Sequence, residues 1–318
     1  MSRKSNDQGR AYEFACLNIL YEEITKIRPA EIEKNSSYFA AEKAWNTLNK
    51  SEMALYRTSA LAGVMTIFDL EPLILEDGKD MLELKIQPDG HGEDGDVRDV
   101  LIIRRGIKWE IGLSVKHNHF AVKHSRLSNK IDFGDKWYGV KCSEAYWNDI
   151  SPIFEFLEAE KAKSSYWRDM PDKAEKVYIP LLIAFRDEIT RQNQNKDLKI
   201  PKRMVEYLLG QFDFYKVIGI DSKRITTVQS YNLRGTLNKP IKNKKRNIVI
   251  PISELPTRIV SFDFKPGSNN TLELYMDGGW QFSFRIHNAS SRVEASLKFD
   301  IQIVGMPATI ISIDCKWK

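Results

Sequence analysis

The sequence predicts a mixed α/β protein, with a mixed sheet flanked by helices and a β-rich C-terminal region. Apolar residues recur at helical spacing from Phe14 to Ile27. Two short β-branched runs, residues 100–103 and 108–116, flank a turn and are typical of paired strands. From Ile248 onward the chain alternates apolar and polar residues in short segments separated by turn residues, which indicates further strands.

Composition sets only broad limits on function. The chain has 318 residues, of which 42% are hydrophobic and 29% charged, as in ordinary globular proteins. No stretch approaches the ~20 apolar residues of a membrane span, and residues 1–10 lack the apolar core of a signal peptide, so we expect a cytoplasmic protein. A net charge of +5 permits a polyanionic partner without requiring one. The three cysteines show no CxxC spacing, which predicts neither a disulfide framework nor a cysteine zinc site.

The N-terminal third is predicted to be mainly helical. A first helix from Gly9 would place Glu13 near its start, and residues 38–48 and 51–69 also have helical periodicity. Residues 81–87 alternate apolar and polar side chains, which predicts the first strand of the sheet.

A predicted hairpin contains the densest chemistry in the chain. If its turn centres on residues 106–107, antiparallel pairing places Asp99 opposite Ser114 and Val100 opposite Leu113. An acidic, glycine-rich loop leads into the first of these strands.

Lys116 lies two residues beyond Ser114 and therefore on the same face of the strand. A carboxylate, Asp99, and an ammonium then converge at one end of the hairpin. Phosphodiester hydrolysis uses such a pair, because the carboxylate holds a divalent cation while the ammonium orients the attacking water and helps to deprotonate it.

An Asp that opens one strand, followed by an acid-x-Lys signature on the next, resembles the PD-(D/E)xK nuclease superfamily. Here Asp99 matches the first acid and Ser114-Val115-Lys116 the second element. The blocks GDVRDVLII and WEIGLSVKHNHFAVKHSRLS are similar to the HaeIII type of type II restriction endonuclease. The resemblance implies a restriction-endonuclease-like fold, Mg²⁺-dependent cleavage of both DNA strands, the target GGCC, and a cognate DNA methyltransferase as functional partner.

The sequence departs from the superfamily pattern at two positions. Arg98 stands where Pro often precedes the Asp, and Ser114, expected to position water, replaces the second carboxylate. Superfamily members often carry a helical Glu near the N-terminus, which makes Glu13 the preferred substitute, with Asp96 as the alternative. Glu110 shares the face of Ser114 but lies about 13 Å from it along the strand.

Basic, imidazole and amide groups follow the hairpin and predict contact with DNA phosphates and base edges. They are His117, Asn118, His119, Lys123, His124 and Arg126. Three imidazoles within eight residues leave a zinc site as an alternative, which requires His117, His119 and His124 to converge.

The centre of the chain is predicted to add helices and strands. A helix is expected with Ser151 as its N-cap and Pro152 at its first position. The other expected elements are a helix at 201–209 and strands at 213–221 and 225–233.

These patterns divide the chain into a nuclease core at 1–238, a basic linker at 239–247 and a β-rich region at 248–318 that supports DNA recognition. Lys242, Lys244 and Lys245 in the linker are expected to bind DNA.

Within the β-rich region, Arg285, His287 and Asn288 are expected to contact DNA. Arg285 is the expected guanine reader, because a guanidinium matches guanine O6 and N7. Two other functions remain open, a DNA repair nuclease of the same superfamily and a DNA-binding module whose catalytic site is degenerate. No interface signature is visible, so the sequence leaves the oligomeric state open.

Overall fold

A computed structural model of the chain describes residues 5–76, 78, 80–88, 95–241, 246 and 248–318. The helices in these ranges are α1 (Ser5–Thr25), α2 (Ser36–Trp45), α3 (Lys50–Leu70), α4 (Phe133–Tyr138), α5 (Glu144–Ala162), α6 (Ile179–Gln192) and α7 (Ile200–Leu209). The strands are β1 (Ala30–Ile32), β2 (Leu82–Ile86), β3 (Val100–Arg104), β4 (Trp109–His117), β5 (Ala121–Leu127), β6 (Phe214–Ile220), β7 (Ile225–Tyr231), β8 (Ile259–Phe264), β9 (Thr271–Met276), β10 (Gln281–His287), β11 (Leu297–Gly305) and β12 (Ser312–Lys316). No described helix is both long and apolar enough to span a membrane.

The chain forms two compact units. The first comprises Met1–Phe120, Gly210–Ser253 and Ala308–Lys318, and the second comprises Ala121–Leu209 and Glu254–Pro307. This division differs from the expected boundaries near residues 238 and 248. The physical reason is strand pairing between distant segments, since β12 pairs with β7 in one sheet and β11 pairs with β5 in the other.

The first unit contains a seven-stranded sheet in the order β1-β2-β3-β4-β6-β7-β12. The β1–β2 and β4–β6 pairs are parallel and the remaining pairs antiparallel. Buried apolar side chains of α1, α2 and α3 form one core with those of β2, β3 and β4. The predicted mixed sheet with flanking helices is therefore confirmed.

Side-chain caps fix where two of these helices begin. The Asn35 side chain accepts a hydrogen bond from the Tyr38 N–H at the start of α2. At the start of α3, Asn49 and Glu52 form a reciprocal capping box, which satisfies two backbone donors that the helix leaves unpaired.

The β3–β4 hairpin has the predicted register, with Val100 opposite Leu113. The Asp99 N–H donates to the Leu113 carbonyl at 2.7 Å, and the Gln87 N–H donates to the Asp99 carbonyl at 2.9 Å. The backbone of Asp99 is therefore held from both sides, so the direction of its side chain is fixed.

The second unit contains a five-stranded antiparallel sheet in the order β5-β11-β10-β9-β8, together with α4 to α7. Phe282, Phe284 and Ile286 of β10 are buried, so the intervening side chains of that strand lie on the other face.

Two expectations for secondary structure were wrong. The helix expected to begin at Ser151 begins at Glu144, because the Ser143 side chain accepts from the Tyr146 N–H and so caps it there. Pro152 lies inside that helix at an exposed position, where its missing N–H costs one backbone bond. The apolar segment at 248–252 is not a strand, and the Asn232 side chain instead binds the carbonyls of Ile250 and Pro251.

Candidate functional site

Asp99 and Lys116 meet at one end of the β3–β4 hairpin. The Lys116 ammonium donates to Asp99 Oδ2 at 3.0 Å, and the Val115 N–H donates to the same oxygen at 2.6 Å. Asp99 Oδ1 accepts no hydrogen bond from the described residues. The carboxylate thus has one anchored oxygen and one oxygen available to a ligand.

Ser114 lies beside this pair but is itself buried. Its hydroxyl is 3.4 Å from Asp99 Oδ2, which is a long and weak contact. Only 4% of Ser114 is exposed. Its hydroxyl therefore packs against the Asp99 carboxylate more readily than it binds a metal ion.

The charge state of Lys116 follows from its neighbours. Burial lowers the pKa of its ammonium, but the charges of Asp99 and Glu13 and the hydrogen bond to Asp99 outweigh burial, so the pKa is raised above its ordinary value. The side chain is therefore a protonated donor at neutral pH. It can orient a water or stabilise negative charge, and it cannot accept a proton in that state.

Glu13 lies on α1, close enough to the end of the hairpin for its charge to act there. Its charge acts on Lys116. Together with Asp99 it also raises the pKa of the Cys16 thiol, after the larger effect of burial. Both carboxylates therefore act on the same two side chains, Lys116 and Cys16, although Asp99 and Glu13 are far apart in sequence.

Asp96 is engaged in an internal ion pair instead. Its two oxygens accept hydrogen bonds from Arg98, at 2.8 Å from Nε and 2.7 Å from Nη2, and one also accepts from Gln87 at 2.8 Å. Burial raises the pKa of Asp96, but these hydrogen bonds and the charge of Arg98 outweigh it and keep the pKa low. Glu110 is also bound to Arg98, at 2.8 Å.

The chemistry of Asp99 and Glu13 fits a divalent cation. Mg²⁺ binds through one or two carboxylates and otherwise through waters and substrate oxygens. Asp99 presents one unanchored oxygen, and Glu13 is half-buried nearby. These two residues are the carboxylates that would hold the ion.

Lys216 is a residue that the sequence interpretation missed. It lies on β6 opposite Ser114, is 3% exposed, and donates to the Phe120 carbonyl at 2.7 Å. Burial, and then the charge of Lys116, lower its pKa to about 7. The signal was present, because Lys216 is the one charged residue in the otherwise apolar stretch FYKVIGI.

The residues that follow Lys116 divide into different environments. The His117 side chain is 7% exposed, lies 2.9 Å from Asp221 and packs its ring against Tyr56 at 4.3 Å. The Asn118 amide also donates to Asp221, at 2.9 Å. His117 is therefore engaged within the first unit, which argues against both its contact with DNA and the zinc alternative that requires it.

The sheet of the second unit brings together two groups of expected DNA-binding residues. Arg126 of β5 pairs with Lys298 of β11, which pairs with His287 of β10. This gives a row of three basic side chains on one face, although they come from segments about 160 positions apart. We call it the basic row.

The adjacent row on the same face contains His124, Asp300 and Arg285. Arg285 is exposed and donates to Asp300 Oδ2 at 3.0 Å, and Gln302 donates to the same oxygen at 3.3 Å. Asp300 thus orients a guanidinium that faces solvent. Lys298 and Gln302 were missed because each is an ordinary outward residue of an alternating strand.

Six other expected DNA-binding residues have local partners, belong to the first unit or lie outside the described residues. The Lys123 ammonium donates to the Tyr207 carbonyl at 3.0 Å and lies 3.8 Å from the centre of its ring. The Asn288 amide donates to the Ser290 carbonyl at 2.6 Å. His119 belongs to the first unit. Lys242, Lys244 and Lys245 lie outside the described residues.

Comparison with known proteins gives a consistent result over the full chain. A family model described as HaeIII restriction endonuclease matches residues 9–307. The type II restriction enzyme HaeIII of Haemophilus aegyptius is 56% identical over 318 residues, which is 100% of both chains. No solved structure matches the chain.

Proposed function

This chain belongs to the HaeIII restriction endonuclease family, and from that premise we propose that its Asp99–Lys116 pair is the catalytic centre of a Mg²⁺-dependent nuclease. The enzyme is a type II site-specific deoxyribonuclease, which cleaves DNA at a defined sequence. Enzymes of this type generally depend on a divalent metal ion. Of the three functions that the sequence left open, restriction is the one that the family supports.

The proposed chemistry assigns a separate task to each side chain. Asp99 and Glu13 would hold Mg²⁺, which would supply positive charge to neutralise the charge that develops on the scissile phosphate. Lys116 donates a hydrogen bond to the attacking water or to a phosphate oxygen, because its raised pKa keeps it protonated. Ser114 supports the Asp99 carboxylate.

The observation that carries this proposal is the anchoring of Asp99. A backbone N–H and the Lys116 ammonium hold one carboxylate oxygen, while the other has no donor among the described residues. This asymmetry suits a metal ligand, because the anchored carboxylate holds its other oxygen in a fixed direction.

We assign DNA binding to the face of the second unit's sheet that carries the basic row. The basic row of Arg126, Lys298 and His287 supplies phosphate contacts, which raise affinity for any sequence. Arg285, oriented by Asp300, supplies a base contact, for which guanine is the matching partner.

The target and the biological partner follow from the family alone. We propose that the enzyme cleaves GGCC and acts in the cytoplasm alongside a cognate DNA methyltransferase that protects the host's own sites. The similarity to HaeIII supports this proposal.

Digestion of unmethylated phage DNA tests the function directly. Wild-type protein with Mg²⁺ should give discrete fragments, and sequencing their ends should give GGCC at every cut. EDTA should prevent cleavage, and prior methylation of the sites should protect the DNA. Fragments with a different common end would reject the target but keep the activity, and intact DNA in Mg²⁺ would reject the activity.

A further inference from the structure

A polar cavity of about 310 Å³ lies beside the proposed catalytic centre. Its polar side chains are Arg10 and Glu13 of α1 and Ser36 and Ser37 of α2, and the end of β2 completes the wall. The cavity is at the small end of the range for sites that bind ligands, about 300–1,000 Å³, and is large enough for part of one nucleotide.

Two observations connect this cavity to the hairpin. Glu13, which lines it, acts electrostatically on Lys116. Ile86 and Pro88 also line it, and Gln87 between them donates its N–H to the Asp99 carbonyl at 2.9 Å. DNA with a phosphate at Asp99 and Lys116 would therefore place neighbouring backbone close to the cavity.

The chemistry of the lining selects an anionic, oxygen-rich ligand. Arg10 and Glu13 are three positions apart and so lie on the same face of α1. Among the described residues that line the cavity, Arg10 is the cationic one and Glu13, the proposed metal ligand, is the acidic one. Ser36 and Ser37 add hydroxyl groups to the lining. A guanidinium with nearby hydroxyl donors matches a phosphodiester.

We propose that this cavity binds the backbone phosphate next to the scissile one, with Arg10 as its principal contact. The inference rests on the proposed nuclease function, because it needs the scissile phosphate at Asp99 and Lys116. Arg10 becomes a positioning residue that fixes the register of the cleaved strand.

The test measures binding of a GGCC-containing duplex, with Ca²⁺ replacing Mg²⁺ so that the DNA stays intact. A neutral methylphosphonate is placed at one backbone position at a time near the site. Arg10→Ala should weaken binding of the unmodified duplex by about ten- to a hundredfold. At one position the methylphosphonate should weaken DNA binding by wild-type protein. It should not further weaken DNA binding by Arg10→Ala, because that variant has already lost the contact with this phosphate.

Two variants serve as controls. Arg57→Ala removes the same charge from an exposed ion pair with Glu22, outside the cavity lining, and should leave affinity nearly unchanged. Arg10→Lys keeps the charge but loses the forked geometry, so it should show an intermediate loss and the same position dependence. Arg10→Gln replaces Arg10→Ala if the latter fails to fold.

Equal losses at every methylphosphonate position in wild type and Arg10→Ala would overturn the proposal, as would unchanged affinity in Arg10→Ala. Cleavage of the unmodified duplex by wild-type protein in Mg²⁺ reports separately on the nuclease function. A failed phosphate site with intact cleavage is thus distinguished from a failed function.

Discussion

Glu13 is the residue that we propose in place of the second acid of the superfamily pattern. Ser114 occupies that acid's position in the sequence, and a buried hydroxyl is a poor ligand for Mg²⁺. The charge of Glu13 reaches Lys116 from α1, a different element, so the pair of carboxylates is formed by tertiary packing.

Replacement of Glu13 distinguishes it from Asp96. Glu13→Gln should lower the cleavage rate by at least about a hundredfold and raise the Mg²⁺ concentration needed for half-maximal rate. Asp96→Asn should leave that Mg²⁺ concentration unchanged, because Asp96 binds Arg98. Single-turnover rates across a Mg²⁺ titration measure both effects. If Asp96→Asn and not Glu13→Gln raised the required Mg²⁺ concentration, Asp96 would be the metal ligand.

Glu71 provides a pH-dependent test of the core of the first unit. The carboxyl group is fully buried and accepts from the Tyr215 hydroxyl at 2.7 Å and from the Asn238 N–H. Burial raises its pKa from 4.5 to about 7, and these hydrogen bonds only partly oppose the rise.

Because the folded pKa of Glu71 is raised, its contribution to stability is present below pH 4.5 and is lost as the pH rises to about 7. Glu71→Gln keeps an acceptor for both donors and removes the titration. The variant should therefore gain about 3 kcal/mol relative to wild type between pH 4.5 and 7.5. Urea denaturation of both proteins at both pH values measures the change. If the stability difference between Glu71→Gln and wild type were the same at both pH values, the raised pKa of Glu71 would be contradicted.

At the scale of elements, the β3–β4 hairpin depends on one close approach. The stem of Arg98 crosses Gly112, where an added Cβ would lie 2.1 Å from Arg98 Cδ. Arg98 also binds Asp96 and Glu110 and packs over the Phe212 ring at 4.0 Å. Because position 112 is a glycine, Arg98 can link the start of β3 to β4. Arg98 itself stands at the position where the superfamily often has Pro.

Gly112→Ala should displace Arg98 and lower the free energy of unfolding by about 1–3 kcal/mol. Gly9→Ala is the matched control, because an added Cβ there meets nothing within 4 Å. That change should raise stability by about 0.5–1 kcal/mol in a helix. Thermal denaturation of both variants measures these changes in stability. The same change in both would show that the contact between Arg98 and Gly112 tolerates an added Cβ.

Local sequence patterns predicted the β3–β4 hairpin well, but they could not predict the pairing of strands that are far apart in sequence. Alternation and turn residues gave the hairpin and its register, since both depend on neighbours in sequence. The start of α5 was missed because Ser143 and Ser151 are both acceptable caps, and the choice depends on Glu188, which binds the Ser143 backbone and hydroxyl. The two compact units were not predictable from local patterns, because β5 and β12 each join strands far away in the sequence.

At the scale of the whole molecule, we expect the DNA contacts of the second unit to be alterable without changing the proposed catalytic residues. The proposed catalytic residues belong to the first unit and the basic row to the second. Sequence analysis identified Arg126, His287 and Arg285 as separate candidates. Their convergence was not predictable, because it requires β11 to lie between β5 and β10.

Variants of the second unit should separate affinity from specificity. Lys298→Ala should weaken binding to all DNA sequences and reduce the slope of log affinity against log salt by about 1. Arg285→Ala should instead reduce discrimination between the target and a one-base variant by about 1–3 kcal/mol.

Arg168→Ala, which removes a highly exposed charge in the same unit, is the control and should change neither quantity. Binding isotherms with target and non-target duplexes at several salt concentrations provide these measurements. If Arg285→Ala weakened binding to target and non-target duplexes equally, Arg285 would contact phosphates and not a base.

The most direct test of the central claim is single-turnover cleavage by Asp99→Ala and Lys116→Ala, each with Mg²⁺ and with EDTA. We predict discrete fragments only from wild-type protein with Mg²⁺, and at least about a hundredfold slower cleavage by both variants. Both variants should still shift the DNA on a gel, because the basic row is intact. Wild-type rates in either variant, or cleavage in EDTA, would contradict the assignment of this hairpin as the catalytic centre.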